Sequence, residues 1–307
     1  MRKETIIVLI FLFVISFQSM ACDICGCGVG SYYIGILPEY NKRFLGLRYQ
    51  YKSLQTHLGP FGNRTPITAD ERYQSLELWG GWNIGKRFRL LAFVPYNFNE
   101  RKSQSSSGSK TGLGDIALMG YYNLLNHTGQ LGEKLLVQSL WVGAGVKAPT
   151  GQYEPSERLA VQESPNNFQL GTASTDFTFN VAYDVRYNDL GINLNANYKM
   201  NTANKFDYRY GNKVTTNALA YYKFRIANVV TIAPNLGVLY ETAEKDQESN
   251  YTVEVSGGFS TSIIAGMELA TKGFSMGFNY QHVAAQRLAG GRAFAGDRMM
   301  MHMSIPF

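Results

Sequence analysis

The segment that decides the fold is DFTFNVAYDVRY, residues 176–187. Apolar and aromatic side chains occupy every second position from Phe177 to Tyr187, and mostly polar ones lie between them, from Asp176 to Arg186. Residues 191–199 continue the alternation with three asparagines on the polar side, and residues 252–269 repeat it with serine and glutamate. A period of two predicts β-strands with one apolar and one polar face.

Three features favour a membrane barrel over a soluble β-sandwich, which also alternates. The predicted strands are long, and a membrane-spanning strand needs about 9–11 residues against about 5–6 in many soluble sheets. The final segment alternates through Met299 and Met301 and ends on Phe307, as the terminal strands of outer-membrane barrels do. Short connections also alternate with long ones, as in such barrels; the short ones are 83–86, 188–191, 226–228 and 270–273, and the long ones are 55–71, 100–112, 149–171, 200–213 and 241–250.

The segments predict an all-β fold, a transmembrane antiparallel up-and-down β-barrel of about twelve strands. The connection at 126–133 is longer than the others on its side, so ten or fourteen strands stay open as alternatives. An even number places both termini in the periplasm. The predicted strands begin near Tyr40, Tyr73, Arg87, Leu113, Lys134, Ser174, Gly191, Lys213, Val229, Tyr251, Phe274 and Phe294.

The N-terminus predicts export. Arg2 and Lys3 precede an apolar stretch from Ile6 to Phe17, and Ser19-Met20-Ala21 fits a small-x-small cleavage site. We therefore predict a signal peptide at 1–21, a periplasmic cysteine-containing segment at 22–39 and a barrel at 40–307. The expected location is the outer membrane of a Gram-negative bacterium, with outer-membrane lipid and the barrel-assembly machinery as partners.

Composition excludes several other classes. No later apolar run approaches the ~18 residues of a spanning helix. The formal charge of +6 is mild and scattered, so no nucleic-acid partner is expected. Nucleophile elbows, HExxH and phosphate-binding glycine loops are absent from the sequence, and we predict that the protein is not an enzyme.

The polar faces of the predicted strands define a candidate lumen. Such a mixed polar lining is typical of a water-lined passage, although the same residues could hydrogen-bond across a closed interior. The residues assigned to this lining are Asp184, Arg186, Asn193, Asn195, Asn197, Glu254, Glu268 and Arg298.

Three short motifs carry a family resemblance. The chain reads TGLGDI at 111–116, GAGVKAPTG at 143–151 and QLGTASTD at 169–176. In this order the motifs resemble the outer-membrane barrel family named after the meta pathway of phenol degradation. The resemblance implies a transporter of small, often aromatic or hydrophobic compounds. Asp115, Lys147 and Asp176 fall on polar faces near the outer rim, where they could form a charge cluster that supports the rim or selects solutes.

The predicted mature chain begins with a cysteine cluster, Cys22, Cys25 and Cys27. Closely spaced thiolates suit copper or zinc, and Met300 or His302 on the last strand could supply a further ligand near the same rim. Two alternatives stay open, namely a disulfide in an oxidising compartment and lipidation of Cys22.

The sequence thus predicts an outer-membrane channel through which small solutes diffuse passively. The alternative function is a metal-binding envelope protein that uses the cysteine segment at the periplasmic mouth. A purely structural or adhesive barrel is disfavoured, because the longest predicted loop, at 149–171, is short.

Overall fold

The computed structural model describes residues 43–104, 107–154, 168–227 and 229–307. Within them, twelve long antiparallel strands close into one barrel, which confirms the predicted fold and strand number. No helix in these ranges is long and apolar enough to cross a membrane. The barrel strands are β1 (Phe44–Thr56), β2 (Ala69–Ile84), β3 (Phe88–Lys102), β4 (Ala117–Leu131), β5 (Lys134–Lys147), β6 (Asp176–Tyr187), β7 (Leu190–Met200), β8 (Lys213–Tyr222), β9 (Val230–Ala243), β10 (Gly258–Ala270), β11 (Ser275–Leu288) and β12 (Arg298–Pro306).

Each strand pairs with its neighbours in sequence, and the last strand pairs with the first. The β1–β12 register runs from Phe44 opposite Pro306 to Tyr51 opposite Met299. Both ends of the barrel therefore lie at one rim, together with the tight turns at 85–87, 132–133, 188–189 and 271–274. We name this rim the short-turn end and the opposite rim the long-loop end.

The alternation of the sequence is realised as an outward and an inward face. In β6, Phe177, Phe179 and Val181 are exposed, whereas Thr178 and Asn180 between them are buried. Leucine, isoleucine, valine and methionine continue the exposed band around the barrel, for example at Leu47, Leu78, Leu90, Leu118, Ile192, Leu194, Leu236, Val238, Ile263 and Met301. The outer surface of this barrel is therefore apolar, as lipid requires.

Aromatic rings border the apolar band. At the short-turn end the outward rings meet in contacting pairs with centroids 4.7–5.8 Å apart, which are Trp82–Phe307, Phe88–Tyr122 and Tyr222–Phe224. Nearer the long-loop end, Tyr96 meets Phe98 and Tyr240 stacks on Phe259. Two such girdles are typical of membrane barrels, where aromatic rings occupy the interface between lipid and water.

Inward glycines make room for large side chains against the barrel wall. A Cβ on Gly143 would lie 2.8 Å from the ring of Tyr121, and one on Gly191 would overlap the ring of Tyr221. Each ring therefore lies over the bare backbone of the neighbouring strand, because any larger residue there would push it away from the wall.

The extended hairpin of β4 and β5 differs from the prediction. Residues 126–133 were expected to be a connection, but β4 continues to Leu131 and turns at Gly132, whose φ is +65°. At its other end β4 begins at Ala117 rather than near Leu113, because residues 107–113 pair instead with the end of β3.

Two further strands begin later than predicted. Gly257 and Gly258 both have positive φ and interrupt the run that was expected to begin at Tyr251, so β10 begins at Gly258. The prediction that Glu254 lines the lumen was consequently wrong, since Glu254 is exposed in a loop and pairs with Lys245. Residues 294–295 form a short strand on β1, and β12 begins only at Arg298.

Residues 1–42 lie outside the described residues. The signal peptide at 1–21, the segment at 22–39 and the role of Cys22, Cys25 and Cys27 therefore remain predictions from sequence.

Candidate functional site: the lumen and its long-loop mouth

The three family motifs meet around one buried carboxylate at the long-loop end. Asp115 Oδ2 accepts hydrogen bonds from Lys147 Nζ at 2.6 Å and from the backbone nitrogen of Thr172 at 2.9 Å. Asp115 Oδ1 accepts a third from the backbone nitrogen of Gly151 at 2.9 Å. One side chain thereby ties together the connection before β4, the end of β5 and the connection before β6.

A second carboxylate extends this network to the next strands. Asp176 Oδ2 lies 2.8 Å from Lys147 Nζ and 3.4 Å from Lys199 Nζ. Ser174 Oγ donates to Asp176 Oδ1 at 2.9 Å, and Thr202 N donates to the same oxygen at 3.2 Å. Two lysines thus compensate two aspartates, as burial of charge requires. The structure therefore brings together Asp115, Lys147 and Asp176, which the sequence had grouped, and adds Lys199.

This network anchors residues 168–175, which we call the mouth segment. Its residues Phe168, Gln169, Leu170 and Thr172 are buried, although they belong to a connection. From the lumen wall, Asn97 Nδ2 donates to the carbonyl oxygen of Leu170 and Asn99 Nδ2 to that of Gln169, each at 3.2 Å. The mouth segment therefore lies inside the rim, against β3.

Phe168 connects the mouth segment with the first strands of the barrel. Its ring packs edge-on against Tyr73 of β2 at a centroid distance of 6.5 Å. The same buried apolar cluster contains Leu54 of β1 and Leu288 of β11. Contacts with several strands therefore hold the mouth segment against the inner side of the barrel wall at the long-loop end.

Two glycines of the motifs allow the anchoring connections to touch. A Cβ on Gly151 would lie 2.7 Å from the Cα of Gly171 and 2.8 Å from the carbonyl oxygen of Leu170. Only residues without a side chain fit this backbone-to-backbone approach. This close contact explains the glycines at the ends of two of the family motifs.

A second charged group lies in the lumen near the same end. Arg298 at the start of β12 pairs through Nη1 with Glu241 Oε2 of β9, and both side chains are buried. Lys213 lies two residues from Thr215, the partner of Glu241 on the neighbouring strand, and Lys52 lies next to Tyr51, the partner of Met299. The prediction that Arg298 faces the lumen agrees with this position, and its partner comes from a strand three places away around the barrel.

Aromatic side chains line the inner wall of β1 to β5. Phe44, Trp79, Phe93, Tyr121 and Trp141 are all buried in one cluster on the lumen side. Trp79 stacks on Phe93 at 6.4 Å. The inner face of these strands is therefore filled by packed rings that are at most 8% exposed, whereas β6 to β11 contribute asparagine and serine side chains.

Asp184 and Arg186 lie on the inward face of β6, nearer the short-turn end. Asp184 Oδ1 accepts a hydrogen bond from the hydroxyl of Tyr221 at 2.9 Å, and its other oxygen accepts one from Asn193 at 3.3 Å. Arg186 donates to the carbonyl oxygen of Asn188 at 3.4 Å. Neither residue joins the network of Asp115.

Met300 and His302 are also inward and buried. Met300 packs with Leu219 and Leu239, and His302 Nε2 lies 3.1 Å from Glu268 Oε1. Neither side chain stands free at the rim as a ligand. Across the described ranges, no group of three or more histidine, cysteine, aspartate or glutamate side chains is placed to hold a metal ion.

Sequence reasoning missed Lys52, Lys213 and Glu241. Their only signal was position, because each is a charged residue on the polar face of a strand near a long connection. Which of these faces meet across the lumen depends on strand order and closure, and the pattern of a single strand does not contain that information.

Comparison with known proteins fits this architecture. The family described as "Putative MetA-pathway of phenol degradation" matches residues 65–295, a range that includes the mouth segment and its anchors. The chain belongs to this family. No curated protein matches it in sequence.

Two solved structures share the fold of this family member. An outer membrane channel from Pseudomonas putida F1 is 14% identical and superimposes with a TM-score of 0.63, over 91% of this chain and 100% of that chain. The beta domain of the Bordetella autotransporter BrkA is 11% identical, with a TM-score of 0.51 over 87% of this chain and 100% of the other. At these identities the likeness concerns the barrel fold.

Proposed function

We propose that this protein is an outer-membrane channel through which small solutes diffuse passively along the barrel lumen. The observation that carries the proposal is a closed twelve-stranded barrel with an apolar, aromatic-bordered outer face and a polar, charged inner face. Such a surface is stable in lipid, and such an interior is stable in contact with water. The Pseudomonas channel with the same fold supports this function by analogy.

The short-turn end faces the periplasm in this proposal, since short turns lie on that side in outer-membrane barrels. The mouth segment then lies on the outer side and forms the entrance constriction. Its anchors, Asp115 and Lys147, are buried and hydrogen-bonded to each other, so their role is to hold the mouth segment rather than to touch solute.

The description of the matching family, which names phenol degradation, favours hydrophobic or aromatic solutes.

A liposome-swelling assay tests both parts of the proposal. Vesicles with the refolded barrel should swell in small solutes, and phenylalanine should enter faster than glutamine, which is similar in size and net charge. Absence of swelling in every solute, with folding shown by an SDS-resistant band that shifts on heating, would contradict the channel. Equal rates for the two amino acids would contradict only the aromatic preference.

The cysteine segment supports a second candidate function, binding of copper or zinc by Cys22, Cys25 and Cys27. Three thiolates within six residues match the ligand preference of these metals. Metal analysis of the purified chain and of the triple Cys→Ser variant tests it. Metal is expected in the first and absent from the second, and equal content in both would exclude the site.

A further inference from the structure

Four charged side chains approach one another in the lumen below the mouth segment. On β1, Lys52 follows Tyr51, which pairs with Met299, so Lys52 lies beside Arg298 of β12. On β8, Lys213 lies two residues from Thr215, which pairs with Glu241 of β9, and Glu241 forms an ion pair with Arg298. Lys52 and Lys213 are thus both neighbours of the Arg298–Glu241 ion pair. Three positive charges therefore face one negative charge.

The other lumen charges near this group are compensated. Arg48 pairs with Glu77, and Arg101 lies 3.6 Å from Glu71. Lys147 and Lys199 share the carboxylates of Asp115 and Asp176. The excess of two positive charges is therefore local to the group around Glu241.

Parts of this group have no protein partner. Among the described residues, Lys52 and Lys213 form no hydrogen bond or ion pair, and both are only half-buried, so water and solute in the lumen can reach them. Arg298 uses Nη1 for Glu241, while its Nη2 is buried with no hydrogen-bond partner in the described part of the chain. Two ammonium groups can therefore be reached from the lumen, and the buried Nη2 of Arg298 has donors that no described protein group uses.

The geometry points to a binding site for a small carboxylate in the lumen, and we propose that Lys52, Lys213 and the free Nη2 of Arg298 form it. Guanidinium and ammonium groups donate charge-assisted hydrogen bonds to carboxylate oxygens, and a partly water-excluded lumen strengthens that attraction. Glu241 fixes Arg298 in place and limits the positive excess, so the bound anion can leave again. The inference rests on the proposed channel and specifies the charge of its solutes.

Planar-bilayer recordings test the site. In a potassium chloride gradient, the reversal potential of the wild type should show preference for chloride, and added acetate should reduce the chloride current. The K52Q/K213Q double variant should lose most of that preference for chloride. Its affinity for acetate should be lower than that of the wild type by about tenfold or more. The E241Q variant, which removes the negative charge, should show a stronger preference for chloride and a higher affinity for acetate than the wild type.

The matched control is K86Q/K272Q, which removes two exposed lysines from the short turns and should behave as the wild type. Wild-type selectivity and acetate block in both K52Q/K213Q and E241Q would overturn the site. Block by phosphate without block by acetate would overturn the carboxylate assignment. Absence of any conductance from folded wild type would instead contradict the proposed channel, so the two failures are distinguishable.

Discussion

Lys147 is the side chain on which the anchoring of the mouth segment depends. Its ammonium group lies between Asp115 and Asp176 and also donates to Thr172. Without it, two buried carboxylates would face each other with Lys199 as the remaining cation.

Substitution of Lys147 by methionine should therefore destabilise the barrel by about 3–5 kcal/mol, the usual result of removing one partner from a buried ion pair. Guanidinium unfolding in phospholipid vesicles, followed by tryptophan fluorescence, measures this loss. The exposed lysine variant K86M should unfold like the wild type. Equal stability of all three proteins would show that the network contributes little.

Gly143 should control how far Tyr121 projects into the lumen. A valine there would collide with the ring, which a Cβ alone would approach to 2.8 Å. We expect G143V to reduce single-channel conductance because the ring must rotate toward the lumen axis. G120V on the outward face of the adjacent strand is the control, and a reduction of equal size in G120V would contradict the explanation.

At the scale of residues, the sequence predicted the motif cluster but not the cation group. Asp115, Lys147 and Asp176 lie close to conspicuous glycines and proline, and each falls on the polar face of a strand near one rim. Lys52 and Glu241 belong to strands that are distant in sequence, and their approach depends on closure of the barrel.

The mouth segment is the connection that lies inside the barrel at its long-loop end. Two asparagines of β3 hold its backbone carbonyl oxygens, and Phe168 inserts into the apolar cluster of β1, β2 and β11. Loss of the asparagine donors should loosen the segment without disturbing the buried charges.

The N97A/N99A variant should consequently show a larger or more strongly fluctuating conductance than the wild type. The exposed loop variant N63A serves as the control. Unchanged conductance in N97A/N99A would indicate that the mouth segment does not form the constriction. An SDS-resistant folded band confirms that the barrel is intact in each case.

At the scale of elements, alternation located the strands but not all of their ends. Residues 251–252 alternate like a barrel strand, yet they pair with residues 247–248 in a small sheet outside the barrel. Asp246 holds that loop by accepting hydrogen bonds from Gly211 N at 2.7 Å and from the hydroxyl of Tyr208. Such contacts between loops leave no periodic signal in the sequence.

For the whole molecule, the apolar outer surface predicts that the destabilisation caused by an outward arginine depends strongly on how deep in the membrane the substituted residue lies. Leu236 lies near the middle of β9, whereas Leu131 lies at the tip of the β4–β5 hairpin, and the two are similarly exposed at 62% and 60%. Arginine at the centre of the lipid-facing band costs about 2–4 kcal/mol, and near the interface only about 0–1 kcal/mol.

L236R should therefore unfold in vesicles at a clearly lower guanidinium concentration than the wild type, and L131R at nearly the same concentration. Equal effects of the two substitutions would contradict a barrel that spans the membrane with this band.

The most direct test of the central claim is the single-channel current of the purified, refolded wild-type barrel in a planar lipid bilayer. The proposed channel predicts discrete conductance steps that are absent from protein-free bilayers. A barrel whose folding is verified and whose insertion is demonstrated, but which passes no current with any small ion, would contradict it.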